Sequence, residues 1–490
     1  MRRGAALPLV LGCALLPGCG LRVDHDTRQA LLRNALSQPV SAGATTGGTA
    51  SGTTGGTGPV GGTTGAPVGG TTGVAGAGGG TGATSGSGTT SGSGTTTGGI
   101  APAPAPSGGN GGATDIGVTP TTVTVGTVAD ESGPRPGLFD GAIAGVQAYF
   151  AYINSQGGIY GRQLKTVVGD SATACNDTDS AYRRLMPKVF AFVGSFGVFD
   201  NCAAQAFADN PGVADVSYAV SADRGRVKNN FSLQPQFTGA QAGPAIVFKQ
   251  QFPGIQKHLG ALIADVAASR SAWANLRSMY LQEGYTLAYE QFVSATEVDY
   301  SRYVIGMRQA GVDMVVLTND ISGEVKFVNT AEQQSWTPHV ITTRAVFYDP
   351  TFKDLISGNP TNVFSELGSA LYFNTDERSL PGVARYQDWM TRTAPRQVKD
   401  SFSEFGWVQA KLFVDALVKA GPRATRPGLL AALRTLHSDD TGGLMPSGDP
   451  AAKKPTPCFV IGHWEGSAWK RWHSPFPGFD CTEPFDFLKT

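Results

Sequence analysis

Residues 154–162, Asn-Ser-Gln-Gly-Gly-Ile-Tyr-Gly-Arg, with the run Leu164-Lys165-Thr166-Val167-Val168 behind them, decide how the rest of the chain is read. Upstream, Phe139, Ile143, Val146, Phe150 and Ile153 recur at helical spacing, so an amphipathic helix leads into the stretch. The run behind it reads as a strand. Between them the stretch is a helix stop followed by a turn. Gly157 and Gly158 can take the left-handed conformation that ends a helix, because neither carries a Cβ. Gly161 re-aims the chain into the strand.

Outward from this return, helix and strand keep alternating. A strand is expected at 122–128, a proline-containing loop at 131–137, a helix at 177–186, a strand at 189–194, an apolar helix at 203–208 and a strand at 213–218. The alternation resumes with strands at 258–265, 312–318 and 338–342, helices at 300–311 and 325–334, and a short strand at 371–373. A long helix at 402–420, with Phe405, Val408 and Leu412 on one face, is stopped by Gly421-Pro422. A helix at 427–436 follows, and 458–461 with 469–472 form a hairpin around Glu465-Gly466-Ser467. Strands alternating with helices imply parallel sheets covered on both faces. The fold class expected is α/β, with two Rossmann-like lobes, and the cleft between them is the place for a small ligand.

The 490 residues carry 38 basic and 38 acidic side chains, so there is no electrostatic footprint for nucleic acid. Residues 1–19 read as an export signal: Arg2-Arg3 begin it, and the apolar run 5–16 is too short for a membrane span. Leu16-Pro17-Gly18-Cys19 resembles the lipobox of bacterial lipoproteins, which implies acylation of Cys19 and a protein anchored outside the cytoplasm. A short helix is expected at 22–38. Residues 41–113 contain no charged and no aromatic residue and cannot bury a core. The segment 20–113 is therefore expected to be a disordered tether, its low-complexity part spanning roughly 45–50 Å as a flexible coil.

With Cys13 removed and Cys19 lipidated, Cys175, Cys202, Cys458 and Cys481 remain. An even number in an oxidising compartment suggests two disulfides. Three pairings can be written, and sequence proximity favours Cys175–Cys202 and Cys458–Cys481. Each would contribute roughly 3–4 kcal/mol in the chain-entropy model. No C-x-x-C occurs, and no metal or other cofactor is expected. Walker-type, G-x-S-x-G and H-E-x-x-H motifs are absent, so no catalytic residue is assigned. The hairpin residues His463, Trp464, Trp469, Trp472 and His473 could bind sugar or metal, but packing of a hairpin pinned by Cys458–Cys481 is the favoured reading.

Several motifs then coincide in order and spacing: Ser132-Gly133-Pro134, Phe139-Asp140-Gly141-Ala142, Ile153-Asn154, Gly157-Gly158-Ile159-Tyr160-Gly161-Arg162, Val167-Val168-Gly169-Asp170, Val193-Gly194, Ala310-Gly311-Val312-Asp313 and Lys419-Ala420-Gly421. In these the chain resembles the type I periplasmic binding proteins of the leucine/isoleucine/valine family, the receptors of branched-chain amino acid ABC transporters. Some members carry a disulfide where Cys175 and Cys202 stand. The resemblance implies discontinuous lobes, 114–236 with 374–445 and 237–373 with 446–490, joined by a multi-strand hinge. It also implies a non-enzymatic monomer that passes a small ligand to a permease and its ATPase. A sensor of the same fold is the alternative, and a secreted envelope hydrolase is a weaker third.

In such folds ligands lie beyond the carboxyl ends of the strands. The loops so placed are 130–137 (with Ser132), 195–201, 217–223, 266–273, 320–324 and 342–348. Amino-acid binders of the family use a serine in the second, an Ala-x-Thr-like run in the third, a tyrosine before glycine in the fourth and an acid in the last. Ala219-Val220-Ser221 fits the third. The second has Phe196-Gly197-Val198-Phe199, the fourth Ser269-Arg270, and the last Thr342-Thr343-Arg344 with no acid before Asp349. A buried ammonium without a carboxylate is costly, whereas Arg344 suits an anion and Phe196 and Phe199 offer apolar walls. The expected ligand is a small carboxylate or aromatic compound, unless Asp130, Glu131 or Asp320 supplies an acid. Arg270 and Arg344 as solvated arginines, and Phe196 and Phe199 as core, are the competing readings.

Overall fold

The computed structural model describes residues 103–235, 240–374, 376–474, 476–482 and 484–485. The export signal 1–19, the lipidation at Cys19, the helix at 22–38 and the tether up to residue 102 lie outside the described residues.

The turn at 154–162 is built as its glycines require. Gly157, Gly158 and Gly161 have φ of 98°, 76° and 76°, and Tyr160 joins them at 52°. Asn154 brackets the return: its Nδ2 donates to Leu164 O at 2.9 Å and its Oδ1 accepts from Leu164 N at 2.8 Å. Arg162 is buried, and its guanidinium donates to the carbonyls of Thr119, Pro422, Asn110 and Gly112 at 2.6–2.9 Å. Tyr160 N donates to Ala103 O at 2.7 Å. The residues from 103 to 112, read from composition as tether, are thus held on this turn. Apart from the Asn110 amide, which donates to Pro120 O and Tyr160 O, they are held through main-chain carbonyls, which composition does not reveal.

The first lobe runs β1 (Thr122–Ala129), α1 (Asp140–Ser155), β2 (Gln163–Asp170), α2 (Cys175–Leu185), β3 (Phe192–Val193), α3 (Ala204–Asp209), β4 (Asp215–Val216), α4 (Ala222–Gly225) and β5 (Asn230–Phe231). Its sheet is parallel, in the order β2-β1-β3-β4-β5. The second continues with β6 (Ala240–Gln241), α5 (Gly243–Gln251), β7 (Leu259–Ala264), α6 (Ala267–Gln282), β8 (Leu287–Val293), α7 (Ser301–Gln309), β9 (Met314–Thr318), α8 (Ile321–Gln333), β10 (Val340–Thr343), α9 (Phe352–Leu355) and β11 (Val363–Leu367). The chain then forms α10 (Pro381–Thr393), α11 (Ser401–Ala420) and α12 (Arg426–Leu433). It ends in β12 (Cys458–Trp464), β13 (Trp469–Trp472), β14 (Asp480–Cys481) and β15 (Pro484–Phe485). The second sheet has the order β13-β12-β11-β10-β9-β7-β8, parallel from β11 to β8 and antiparallel at β12 and β13.

Helix α11 returns to the first lobe and lies hard against α1. A Cβ on Gly145 would stand 2.0 Å from Ser403 O, and one on Gly406 2.1 Å from Ala142 O. Only glycine allows that approach. Rings then bridge the two lobes: Tyr348 meets Tyr372 at 4.9 Å, Tyr372 meets Tyr386 at 5.7 Å, and Tyr386 meets Trp407 of α11 at 5.7 Å. Cys175 is joined to Cys202 and Cys458 to Cys481.

Three expectations about elements are corrected. Residues 371–373 form a turn, and the strand in that region is β11, eight residues earlier in start. The loop expected at 266–273 is the first half of α6. Strand β8 and helix α10 were not anticipated.

Candidate ligand cleft

Four loops, at the carboxyl ends of β1, β2, β3 and β4, are tied together by two buried aspartates. Asp130 accepts from Ser171 Oγ at 2.5 Å, Thr173 N at 3.1 Å and Val198 N at 2.9 Å. Asp200 accepts from Val220 N at 2.8 Å and Ser221 N at 3.2 Å. Burial pushes both carboxyls up, against the pull of these donors. Their hydrogen-bonding capacity is spent on the loops, so Asp130 is not the spare acid for a ligand. Asp320 is engaged as well: its Oδ1 caps α8 through Gly323 N at 2.8 Å and its Oδ2 pairs with Arg135 at 3.1 Å.

Phe196 is buried and lies in a stack. Its ring is 5.5 Å from Tyr218 and 14° from parallel, and Tyr218 is 4.6 Å from Phe405 at 10°. Phe139 and Phe402 meet Phe196 at 4.7 and 5.0 Å. Phe199 and, from the second lobe, Val266 pack on the same cluster. Ala219 is buried beneath it. Beside Gly197 there is room: an added Cβ would only touch Asp130 and Ser171 at 3.7 Å.

Arg344 follows β10 on the opposing lobe. Its Nη2 donates to Gln241 Oε1 at 3.3 Å, while Nη1 is buried, makes no hydrogen bond and stands 3.8 Å from Glu366 Oε2. Glu366 also accepts from Thr342 Oγ1 at 3.0 Å and Tyr280 OH at 3.4 Å. Burial pushes Glu366 up and the Arg344 charge draws it back. The Tyr218 phenol is raised by burial and eased by the same arginine, which puts Arg344 within electrostatic reach of the stack.

Other expected residues are used differently. Ser221 caps α4, its Oγ accepting from Arg224 N at 3.3 Å. Ser132 sits on the exposed rim and donates to Asp170 Oδ2 at 2.5 Å. Ser269 lies in the first turn of α6. Arg270 pairs with Asp265 at 2.5 Å and covers the ring of Phe292 at 4.0 Å. It is committed to β8, the edge strand of its own sheet, because an exposed phenylalanine there attracts a guanidinium.

Sequence reasoning missed Tyr218, Phe405, Glu366 and Glu404. Glu404 is buried in the first turn of α11, and its Oε1 has no hydrogen-bond partner. Burial alone pushes it well above the ordinary carboxyl range. The available signal was Asp400 as an N-cap followed by Phe402, Glu404 and Phe405, which reads as a helix start and gives no hint of a cleft.

A hollow of about 420 Å³ also lies between the lobes, bounded by Pro350–Asp354 after β10 and by Gln397–Lys399 before α11. None of the nine residues expected to touch ligand lines it.

Residues 122–468 match the family described as periplasmic binding protein. The chain belongs to that family. It is a solute-binding protein and not an enzyme. Family and disulfides together place it outside the cytoplasm, and no helix among the described residues is long and apolar enough to cross a membrane. A relative in Brucella suis, "Leu/Ile/Val-binding protein homolog 7", is 25% identical over 316 residues, covering 61% of this chain and 77% of that one. Among solved structures, a fatty acid ABC transporter substrate-binding protein from Thermomonospora curvata gives a TM-score of 0.62 at 19% identity, covering 76% of this chain and 94% of that one. A Thermus thermophilus branched-chain amino acid ABC transporter protein with bound valine also gives 0.62, at 15% identity, covering 75% and 97%. An R. palustris solute-binding protein in complex with 4-hydroxybenzoate gives 0.59 at 14% identity, covering 74% and 97%. These structural likenesses speak for the fold.

Proposed function

We propose that this binding protein is a lipid-anchored receptor of an ABC importer and that it captures a small carboxylate lacking an α-ammonium group in the cleft between its lobes. The observation that carries the reading is Arg344: a half-buried guanidinium whose Nη1 donates to nothing, within electrostatic reach of an apolar stack. A buried N–H without an acceptor costs about 1–3 kcal/mol, and a ligand carboxylate would recover it. For an ammonium, the carboxylates of Asp130 and Asp320 are already engaged by the loops and by Arg135. Glu366 already faces Arg344, and burial disfavours the charged form of Glu404. Phe196, Tyr218, Phe405 and Val266 suit an apolar or aromatic body. The ligands named for the three structural neighbours, a fatty acid, valine and 4-hydroxybenzoate, share a carboxylate and little else.

Calorimetry on the full-length protein tests this with 3-phenylpropionate, benzoate, leucine and valine. The aryl carboxylates are expected to bind, and Arg344→Met to weaken them by at least tenfold, about 1.4 kcal/mol or more. Tight leucine or valine binding that survives Arg344→Met would sink the proposal. Anchoring through Cys19 has its own check. Cys19→Ser is expected to move the protein from the membrane pellet to the soluble fraction, and a variant that stays with the membrane contradicts it.

A further inference from the structure

The hollow beside the hinge has a composition of its own. Lys353 and Asp354 enter it from the second lobe, Gln397 and Lys399 from the segment before α11, and Thr391 from α10. Arg378 also borders it but is occupied, with Nη1 donating to Gln387 Oε1 at 2.9 Å and Nη2 paired with Asp388. Lys353 and Lys399 have no ion pair or hydrogen bond among the described residues; Lys353 and Asp354 are exposed, Lys399 is half-buried, and the three together leave one positive charge on the lining. Burial, with the Arg378 charge adding to it, lowers the Lys399 pKa, so its ammonium is disfavoured until an anion stands beside it. Gln397 Nε2 is buried with no acceptor. Thr391 and Thr351 spend their hydroxyl hydrogens on Gln387 O at 2.7 Å and Asp349 Oδ1 at 2.6 Å, which leaves their oxygens to accept. One wall is Phe373, fixed by stacking on Tyr348 at 3.9 Å.

We infer that this hollow is a second ligand site, that it takes a small hydroxylated monocarboxylate of the sugar-acid class, and that its occupant bridges the two lobes. The excess positive charge and the orphan amide call for a carboxylate. The threonine oxygens call for hydroxyl donors, and the ring supplies an apolar platform for C–H faces. The volume is within the range of small-molecule sites. Since the walls come from both lobes, an occupant favours the arrangement in which they are together. The inference is independent of Arg344 and of the ligand proposed for the cleft.

The test uses the full-length protein, with gluconate as the probe and glucose as its uncharged control. Gluconate is expected to bind with one-to-one stoichiometry and to raise the melting temperature, and glucose to bind at least tenfold more weakly. Lys399→Met and Gln397→Leu are each expected to weaken gluconate at least tenfold, while Arg344→Met leaves it unchanged. Should Lys399→Met fail to fold by circular dichroism, Gln397→Leu, which only removes an unpartnered amide, decides the matter. No gluconate binding, or binding indifferent to both variants, overturns the inference. So does loss of gluconate in Arg344→Met, which would move it into the cleft.

Discussion

Glu404 shows how a single side chain can be out of place energetically and still be held. It is 1% exposed, and its Oε1 is unpartnered beneath the Tyr218 stack. Burial raises its folded-state pKa well above the ordinary value. The unfolded chain releases that proton near pH 4, whereas the folded protein holds it to higher pH. The folded state therefore binds more protons above that pH, and stability falls as pH rises toward the folded pKa. Glu404→Gln keeps the shape and removes the titration. It should stabilise the protein by ~1–3 kcal/mol at about pH 8 and by much less at about pH 4. Urea unfolding at the two pH values measures this. A variant equally altered at both, or less stable at the higher one, would show that burial of Glu404 carries no such cost. The residue was legible as part of a helix start and illegible as a cleft group, because nothing local to Asp400–Phe405 says which lobe the helix caps.

Helix α11 makes the same point for an element. Its existence was readable from Phe405, Val408 and Leu412 and from Gly421-Pro422, since apolar periodicity and a stop signal are both local. Its charges were not. Lys411 lies buried between Asp415, at 2.6 Å, and Asp439. Burial and the neighbouring Asp439 push Asp415 up to about 7. Lys411→Met leaves two carboxylates facing each other without a cation, and the expected cost is about 3–5 kcal/mol, read as a lower urea midpoint at unchanged slope. Restored stability in Lys411→Met with Asp415→Asn and Asp439→Asn would confirm that the cost is electrostatic; persistent loss would assign it to packing. Elsewhere, element reading failed where tertiary context outvoted local pattern. Leu371-Tyr372-Phe373 has strand-like residues, yet its rings are used to join the lobes through Tyr348, Tyr386 and Trp407. Ala267–Arg270 looks like loop, yet α6 is anchored further on by Trp273, Leu276, Met279 and Tyr280.

At the scale of the molecule, the two-lobed α/β plan was legible because alternation of helix and strand repeats along the chain, and the Gly157–Arg162 return is one clear instance of it. What spans the lobes was not legible, because those contacts join residues far apart in sequence. Arg135 rises from the loop after β1, donates to Ala295 O at 2.6 Å and pairs with Asp320 at 3.1 Å on the other lobe. Ala222 N, after β4, also reaches the second lobe and donates to Ser271 Oγ at 3.3 Å. Such contacts exist only when the lobes are together, so they bias the equilibrium between open and closed arrangements before any ligand arrives. A partly exposed pair of this kind is worth ~1 kcal/mol. Arg135→Ala should then lower the closed fraction, and with it the apparent affinity for any cleft ligand, by about fivefold. Small-angle scattering of the ligand-free variant should show a larger radius of gyration than the full-length wild type, and saturating ligand should bring the two curves together. Since Arg135 reaches the second lobe and makes no contact with the Phe196–Tyr218 stack, a loss of affinity without any change in scattering would mean that it acts on the ligand directly, and the closure argument would fail.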